Sequence, residues 1–149
     1  MSGFEIGTDG PQAIVVGIDG SDTSHRAAAY AWGLARRQGS SLIFVFAAAT
    51  GAIASFIPDA SATAIEAQEE VGAELGERIA ALAESMHPRV EHTFRVERGD
   101  AASVLIRVAD EVKADAVVVG ASAQAGHRLV GSVAVRLVRA GRWPVTVVP

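Results

Sequence analysis

The chain has 149 residues, half of them hydrophobic, with no cysteine and a formal net charge of −4 at neutral pH. That length and apolar content suffice for one compact domain with its own core. The missing cysteines exclude disulfide staples, thiolate metal sites and a cysteine nucleophile, and scattered rather than clustered Lys and Arg argue against nucleic acid as a partner.

Residues 1–12 are Gly-rich and polar and read as a loose tail ahead of a domain spanning 13–149. Ala13 to Ile18 is a continuous apolar run, the pattern of a central parallel strand covered on both faces, and it ends at Asp19. Gly20 to Ser24 supply turn and N-cap chemistry. Ala27, Tyr30, Ala31, Leu34 and Ala35 then recur at helical spacing until Gly39 stops the helix. Leu42 to Ala47 predicts a second strand.

The uncharged run from Gln38 to Pro58 is long enough to cross a bilayer. It is broken by Gly39, Ser40, Ser41, Thr50, Gly51 and Ser55, however, and its dense part, Leu42 to Phe46, has strand length and β-type residues. A buried strand followed by a loop is the better reading, and no membrane contact is expected. Ala48 to Ser61, with Phe56 and Ile57, has no clear period and predicts that loop.

From Ala62 to about Met86, Val71, Leu75, Ile79, Leu82 and Met86 form one apolar stripe. Glu66, Glu69, Glu70, Glu74 and Glu77 lie elsewhere as a solvated face, and Gly72 and Gly76 read as weak points of this helix. Arg89 to Val96 alternates, as a half-exposed edge strand does. Gly99-Asp100 turns the chain into a third helix with Val104, Leu105, Val108 and Val112 inward. Ala116 to Val119 is the fourth strand, ending at Gly120, and the loop Ala121 to Val130 leads to Gly131-Ser132. Ser132 is positioned to cap a fourth helix carrying Val133, Ala134, Leu137 and Val138. Pro144 opens a final strand, VTVV.

Strands alternating with helices predict an α/β fold: an open, doubly wound, five-stranded parallel sheet of order 3-2-1-4-5 with helices on both faces. Ligands of such sheets sit outside the carboxyl ends of the strands where the winding reverses, here between strands 1 and 4, at Asp19 and Gly120. The Gly-rich loop opening the fourth helix reads either as a phosphate cradle, offering unpaired N–H groups and the positive end of the helix dipole, or as a tight strand-to-helix turn. Asp19 reads either as an acid for ribose hydroxyls or Mg²⁺, or as an Asx-turn or helix cap.

The strand end AIVVGIDGSDTS, the segment RGDAASVLIRVADEVKADAVVVGAS and the terminal VGSVAVRLVRAGRWPVTVVP resemble a universal stress protein domain, in the same order and spacing from Ala13 to Pro149. The resemblance implies the fold just described, a homodimer paired through the C-terminal edge strand, and ATP, with Mg²⁺, as a regulatory ligand in a stress-response protein. The ATP-binding branch of that family carries Gly-x2-Gly-x9-Gly-Ser/Thr after strand 4. Gly120 and Gly131-Ser132 match its ends, while Ala123 stands at the second Gly and only Gln124 to Val130 separate it from Gly131.

Carried over position by position, the resemblance implies nucleotide contacts at Ile18, Asp19, Ala47, Val119, Gly120, Gly131, Ser132 and Val133. His127 and Arg128 belong to this loop alone, and read either as positive partners for a phosphate or as exposed loop residues. The rival of the same fold is a nucleotide-free dimeric adaptor acting through protein contacts. No Walker A, GxGxxG or G-x-S-x-G motif occurs, and His25, His87, His92 and His127 lack metal-site or triad spacing, so no catalytic or metal residue is expected beyond slow ATP hydrolysis. The first basic residue is Arg26, so a signal peptide is not expected and a cytoplasmic location is.

Overall fold

A computed structural model of the chain describes residues 12–49, 58–122 and 130–149. Strands and helices alternate through them: β1 (Ala13–Gly17), α1 (Asp22–Gln38), β2 (Ser41–Ala48), α2 (Pro58–Ser85), β3 (His92–Arg98), α3 (Ala101–Glu111), β4 (Ala116–Gly120), α4 (Ser132–Ala140) and β5 (Val145–Val148). The five strands form one parallel sheet of order β3-β2-β1-β4-β5, as the sequence predicts.

The apolar runs at the centre are explained by burial on two faces. Ile14, Val15, Val16, Val117 and Val118 are all fully buried, each contributing about 1.5–3 kcal/mol of transfer free energy. Because side chains alternate along a strand, one run feeds two cores. Ile14, Val16, Leu42, Phe44 and Phe46 pack with Ala27, Ala31 and Trp32 of α1 and Leu75 and Ile79 of α2. Val15, Ile43, Val45, Val117 and Val119 pack with Val104, Leu105 and Val108 of α3 and Ala134 and Leu137 of α4.

The ends of α1 follow its sequence. Ser21 is the N-cap, accepting from the Ser24 N–H at 3.2 Å, and Gly39 closes the helix in the left-handed region at φ 71°. The α3 helix is capped by Asp100, which accepts from the Ser103 N–H at 3.2 Å and also pairs with Arg136 of α4. That pair ties the first turn of α3 to α4.

Two expectations are corrected at α2. The helix begins at Pro58, so the expected loop from Ala48 gives up its last four residues; Phe56 and Ile57 lie outside the described residues. Its expected apolar stripe is packed only in part. Leu75, Ile79 and Ala83 are buried, but Val71, Leu82 and Met86 are 48%, 64% and 39% exposed. Two glycines share the packed face. A Cβ at Gly72 would stand 2.7 Å from the ring of Phe46, and one at Gly76 2.8 Å from the ring of Phe94. Both glycines face the sheet and let α2 settle directly onto those two aromatic rings.

The edge strand β3 begins and ends later than its alternation suggests, in register with β2 from Leu42↔His92 to Ala48↔Arg98. On its α3 side Arg95 bonds Glu97 at 2.6 Å and Glu111 at 3.2 Å, and Arg107 reaches Glu97 at 3.1 Å. These charges tie the edge strand to α3.

Candidate functional site

From β1 the chain winds toward β2, and from β4 toward β5. Their connecting helices leave on opposite faces, so the carboxyl ends of β1 and β4 border a crevice. A cleft of about 380 Å³ opens there. All eight residues assigned to it by sequence, Ile18, Asp19, Ala47, Val119, Gly120, Gly131, Ser132 and Val133, line it. His127, Arg128 and Ala123 lie outside the described residues.

Asp19 stands at the cleft rim, where β1 has ended and α1 has not begun. Its Oδ1 accepts from the Ser21 N–H at 2.9 Å, which is an Asx-turn, and its own N–H faces the Ser24 hydroxyl at 3.4 Å. Partial burial pushes its pKa up, but hydrogen bonds from Ser21 and Ser24 outweigh that and hold it below the usual aspartate value. Asp19 is therefore a carboxylate at neutral pH. The turn and the ligand-facing role are compatible, because a carboxylate has lone pairs to spare after one N–H is satisfied.

Gly120 is a glycine for a reason the sequence did not disclose. A Cβ there would fall 2.5 Å from the carbonyl carbon of Thr23 and 2.7 Å from the Ser24 nitrogen. The end of β4 thus passes flush against the first turn of α1. Thr23 seals the contact, its hydroxyl donating to the Ala121 carbonyl at 2.7 Å.

The opening of α4 also differs from expectation. Gly131, not Ser132, is the N-cap, and it makes no side-chain capping bond; Ser132 is the first helical residue. A glycine cap leaves the first-turn N–H groups without the oxygen that a serine would supply. Gly131 is further held close to the preceding loop, since a Cβ on it would meet the Ser122 Cβ at 3.0 Å.

The cleft lining therefore offers three kinds of group: the apolar side chains of Val45, Ala47 and Leu105, the Asp19 carboxylate, and the start of α4 with the hydroxyls of Ser122 and Ser132. That combination can hold a flat apolar group, a polyol and an anion together. Among the described residues no cluster of three or more His, Cys, Asp or Glu stands ready to hold a metal. Sequence reasoning missed Ser21, Thr23, Ser24 and Ser122, which also line the cleft. The only signal for Ser21, Thr23 and Ser24 was a hydroxyl-rich turn after the first strand, and Ser122 follows the fourth.

The model of the universal stress protein family matches residues 11–149. The chain belongs to that family. A universal stress protein family member from Burkholderia pseudomallei is 27% identical, with 92% of this chain and 95% of that one covered and a TM-score of 0.73. A universal stress protein in complex with cAMP is 28% identical over 94% and 98% of the two chains, with a TM-score of 0.60. An Arabidopsis thaliana family protein with AMP bound shares the fold at 17% identity, covering 93% and 91%, with a TM-score of 0.65. Among curated protein sequences none matches this chain. Among the described residues no helix is long and apolar enough to cross a membrane.

Proposed function

We propose that this universal stress protein binds an adenine nucleotide in the β1/β4 cleft as a regulatory ligand. The observation that carries the reading is the meeting of an ionised Asp19 and the glycine-capped start of α4 across one cleft. The first-turn amides of α4 suit a phosphate, favoured by the helix dipole. Asp19 suits ribose hydroxyls, and Val45, Ala47 and Leu105 suit the base. The nucleotide complexes of the cAMP- and AMP-bound relatives support the same ligand class.

ATP is the ligand proposed for regulation, with Mg²⁺ arriving on the phosphates rather than on a prebuilt protein site. Such an ion typically needs only one or two protein carboxylates besides the phosphates, and Asp19 is one. In the bound state the residues of this chain orient and shield; they are not assigned a bond-breaking step.

A second copy of the chain is proposed to pair along β5. Among the described residues this strand pairs only with β4, leaving one edge open. Apolar side chains flank it. Val138 of α4 is 59% exposed, and Tyr30 is 43% exposed on the flank of α1 that carries Arg26, whose guanidinium reaches the Pro149 carbonyl at 3.3 Å. The cysteine-free composition fits a cytoplasmic setting.

Calorimetric titration of the protein with ATP and Mg²⁺, AMP and cAMP tests the reading, with Asp19→Ala and Gly131→Val alongside. Micromolar binding by at least one nucleotide, lost in both variants, is the expected result. Absence of binding by every nucleotide would leave the nucleotide-free adaptor.

A further inference from the structure

We infer that Thr23 is the positioning residue of the cleft: its hydroxyl bond to the Ala121 carbonyl sets the distance between Asp19 and the amides at the start of α4. This rests on the nucleotide reading above and names the part of the chain that pre-forms its site.

The inference follows a continuous line of contacts. Asp19 is fixed to α1 through the Ser21 N–H at 2.9 Å, and the Ser21 hydroxyl lies 3.2 Å from that of Thr23. Thr23 then crosses to the other half of the cleft, donating to Ala121 at 2.7 Å. From the opposite side the Ala121 N–H is held by the Val148 carbonyl of β5 at 2.7 Å. The two peptide units flanking the Ala121 Cα are thereby held from opposite sides, one by β5 and one by Thr23, at the point where β4 ends. The next residue, Ser122, packs against Gly131, with only 3.0 Å between its Cβ and the place where a Gly131 Cβ would be. Asp19, Ser21, Thr23, Ala121, Ser122 and Gly131 thus form one mechanical path from the carboxylate to the helix cap.

The hydroxyl is needed for this, and bulk alone is not. The carbonyl it serves belongs to a part-buried contact, so loss of the donor leaves a backbone acceptor short of a partner and frees the peptide to rotate. A rotated Ala121 carries Ser122 with it, and Gly131 loses the surface it rests on. Binding an anion at α4 while Asp19 holds the polyol would then require Ala121, Ser122 and Gly131 to be brought back into place at the moment of binding.

The test uses Thr23→Val, close in shape without the hydroxyl, and Thr23→Ser, which restores it. AMP is the probe. Thr23→Val is expected to weaken AMP binding by roughly fivefold to tenfold, the range one net hydrogen bond supports, and Thr23→Ser to recover most of it. In the nucleotide-free protein, hydrogen exchange of the amides at 121–122 and 131–133 is expected to quicken in Thr23→Val and to return in Thr23→Ser. A lower melting temperature with unchanged AMP affinity and unchanged exchange at those amides would overturn the inference. If the wild type binds none of AMP, ATP and cAMP, the nucleotide reading fails separately, and the exchange comparison still decides whether Thr23 positions the start of the loop.

Discussion

Gly120 and Thr23 approach more closely than any side chain would permit: a Cβ on Gly120 would lie 2.5 Å from the Thr23 carbonyl carbon. The obstacle is backbone, which cannot swing aside as a side chain can. Gly120→Ala is therefore expected to destabilise the fold by about 1–3 kcal/mol, the usual cost of overpacking, by prying α1 from the end of β4. Urea unfolding of the variant measures it. A stability equal to wild type would show that the two loops can separate freely.

The paired glycines of α2 give opposing terms that different surroundings should decide differently. Alanine gains up to about 1 kcal/mol over glycine inside a helix. At Gly72 the new Cβ meets Phe46, which is only 3% exposed and has no room to yield, and it also presses on Val96 at 3.0 Å. Gly72→Ala should lower the melting temperature. At Gly76 the obstacle is Phe94 on the half-buried edge strand, whose ring can tilt toward solvent. Gly76→Ala should be close to neutral, and thermal unfolding of the two variants side by side checks the contrast.

Asp19 carries two roles that conservative variants separate. Asp19→Asn keeps a carbonyl oxygen to accept from the Ser21 N–H and removes the charge. It should hold the stability of the wild type within about 0.5 kcal/mol while weakening nucleotide binding. Asp19→Ala removes the turn acceptor as well and should cost about 0.5–1.5 kcal/mol of stability in addition. Paired denaturation and titration measurements distinguish a carboxylate that serves only the turn from one that also meets the ligand.

The charges on β3 predict a pH dependence. The Arg95 hydrogen bond, followed by that from Arg107, holds the Glu97 carboxyl below its ordinary value of 4.5 despite some opposing burial. A depressed carboxylate pKa stabilises the fold above its unfolded value, and that contribution is lost as the pH falls through the folded one. Glu97→Gln should thus cost about 0.5–1 kcal/mol near neutral pH, a modest figure because the pair is partly solvated. The difference from wild type should shrink below about pH 4.5. Urea unfolding at several pH values reads it, and a gap that stays constant into acid would contradict the ion-pair assignment.

The element order and the place of the cleft were legible because both depend on patterns within the chain. AIVVG and AVVVG are strands buried on two faces, and each ends where a glycine or aspartate meets helix-capping residues. What stayed hidden depends on distances across the fold. Gly72 and Gly76 read as defects of a helix until Phe46 and Phe94 are placed beneath them. Of the stripe Val71, Leu75, Ile79, Leu82 and Met86, Leu75 and Ile79 are buried as its period predicts, but Val71, Leu82 and Met86 are exposed, and Gly72, Gly76 and Ala83 lie on the packed face instead. Ser132 looked like the cap of α4 because a serine there fits the rule, but the helix starts one residue earlier in its capping pattern, on Gly131. Thr23 read only as part of a capping turn, because its partner, the Ala121 carbonyl, is distant in sequence and belongs to the backbone.

The most direct measurement is a crystal structure of the protein grown with AMP. Density for the phosphate within hydrogen-bonding reach of the Ser132 and Val133 amides, with the ribose on Asp19 and the base between Ala47 and Leu105, is the predicted result. A structure in which the segment between Ser122 and Val130 fills the crevice, or the nucleotide sits elsewhere, would contradict the nucleotide site.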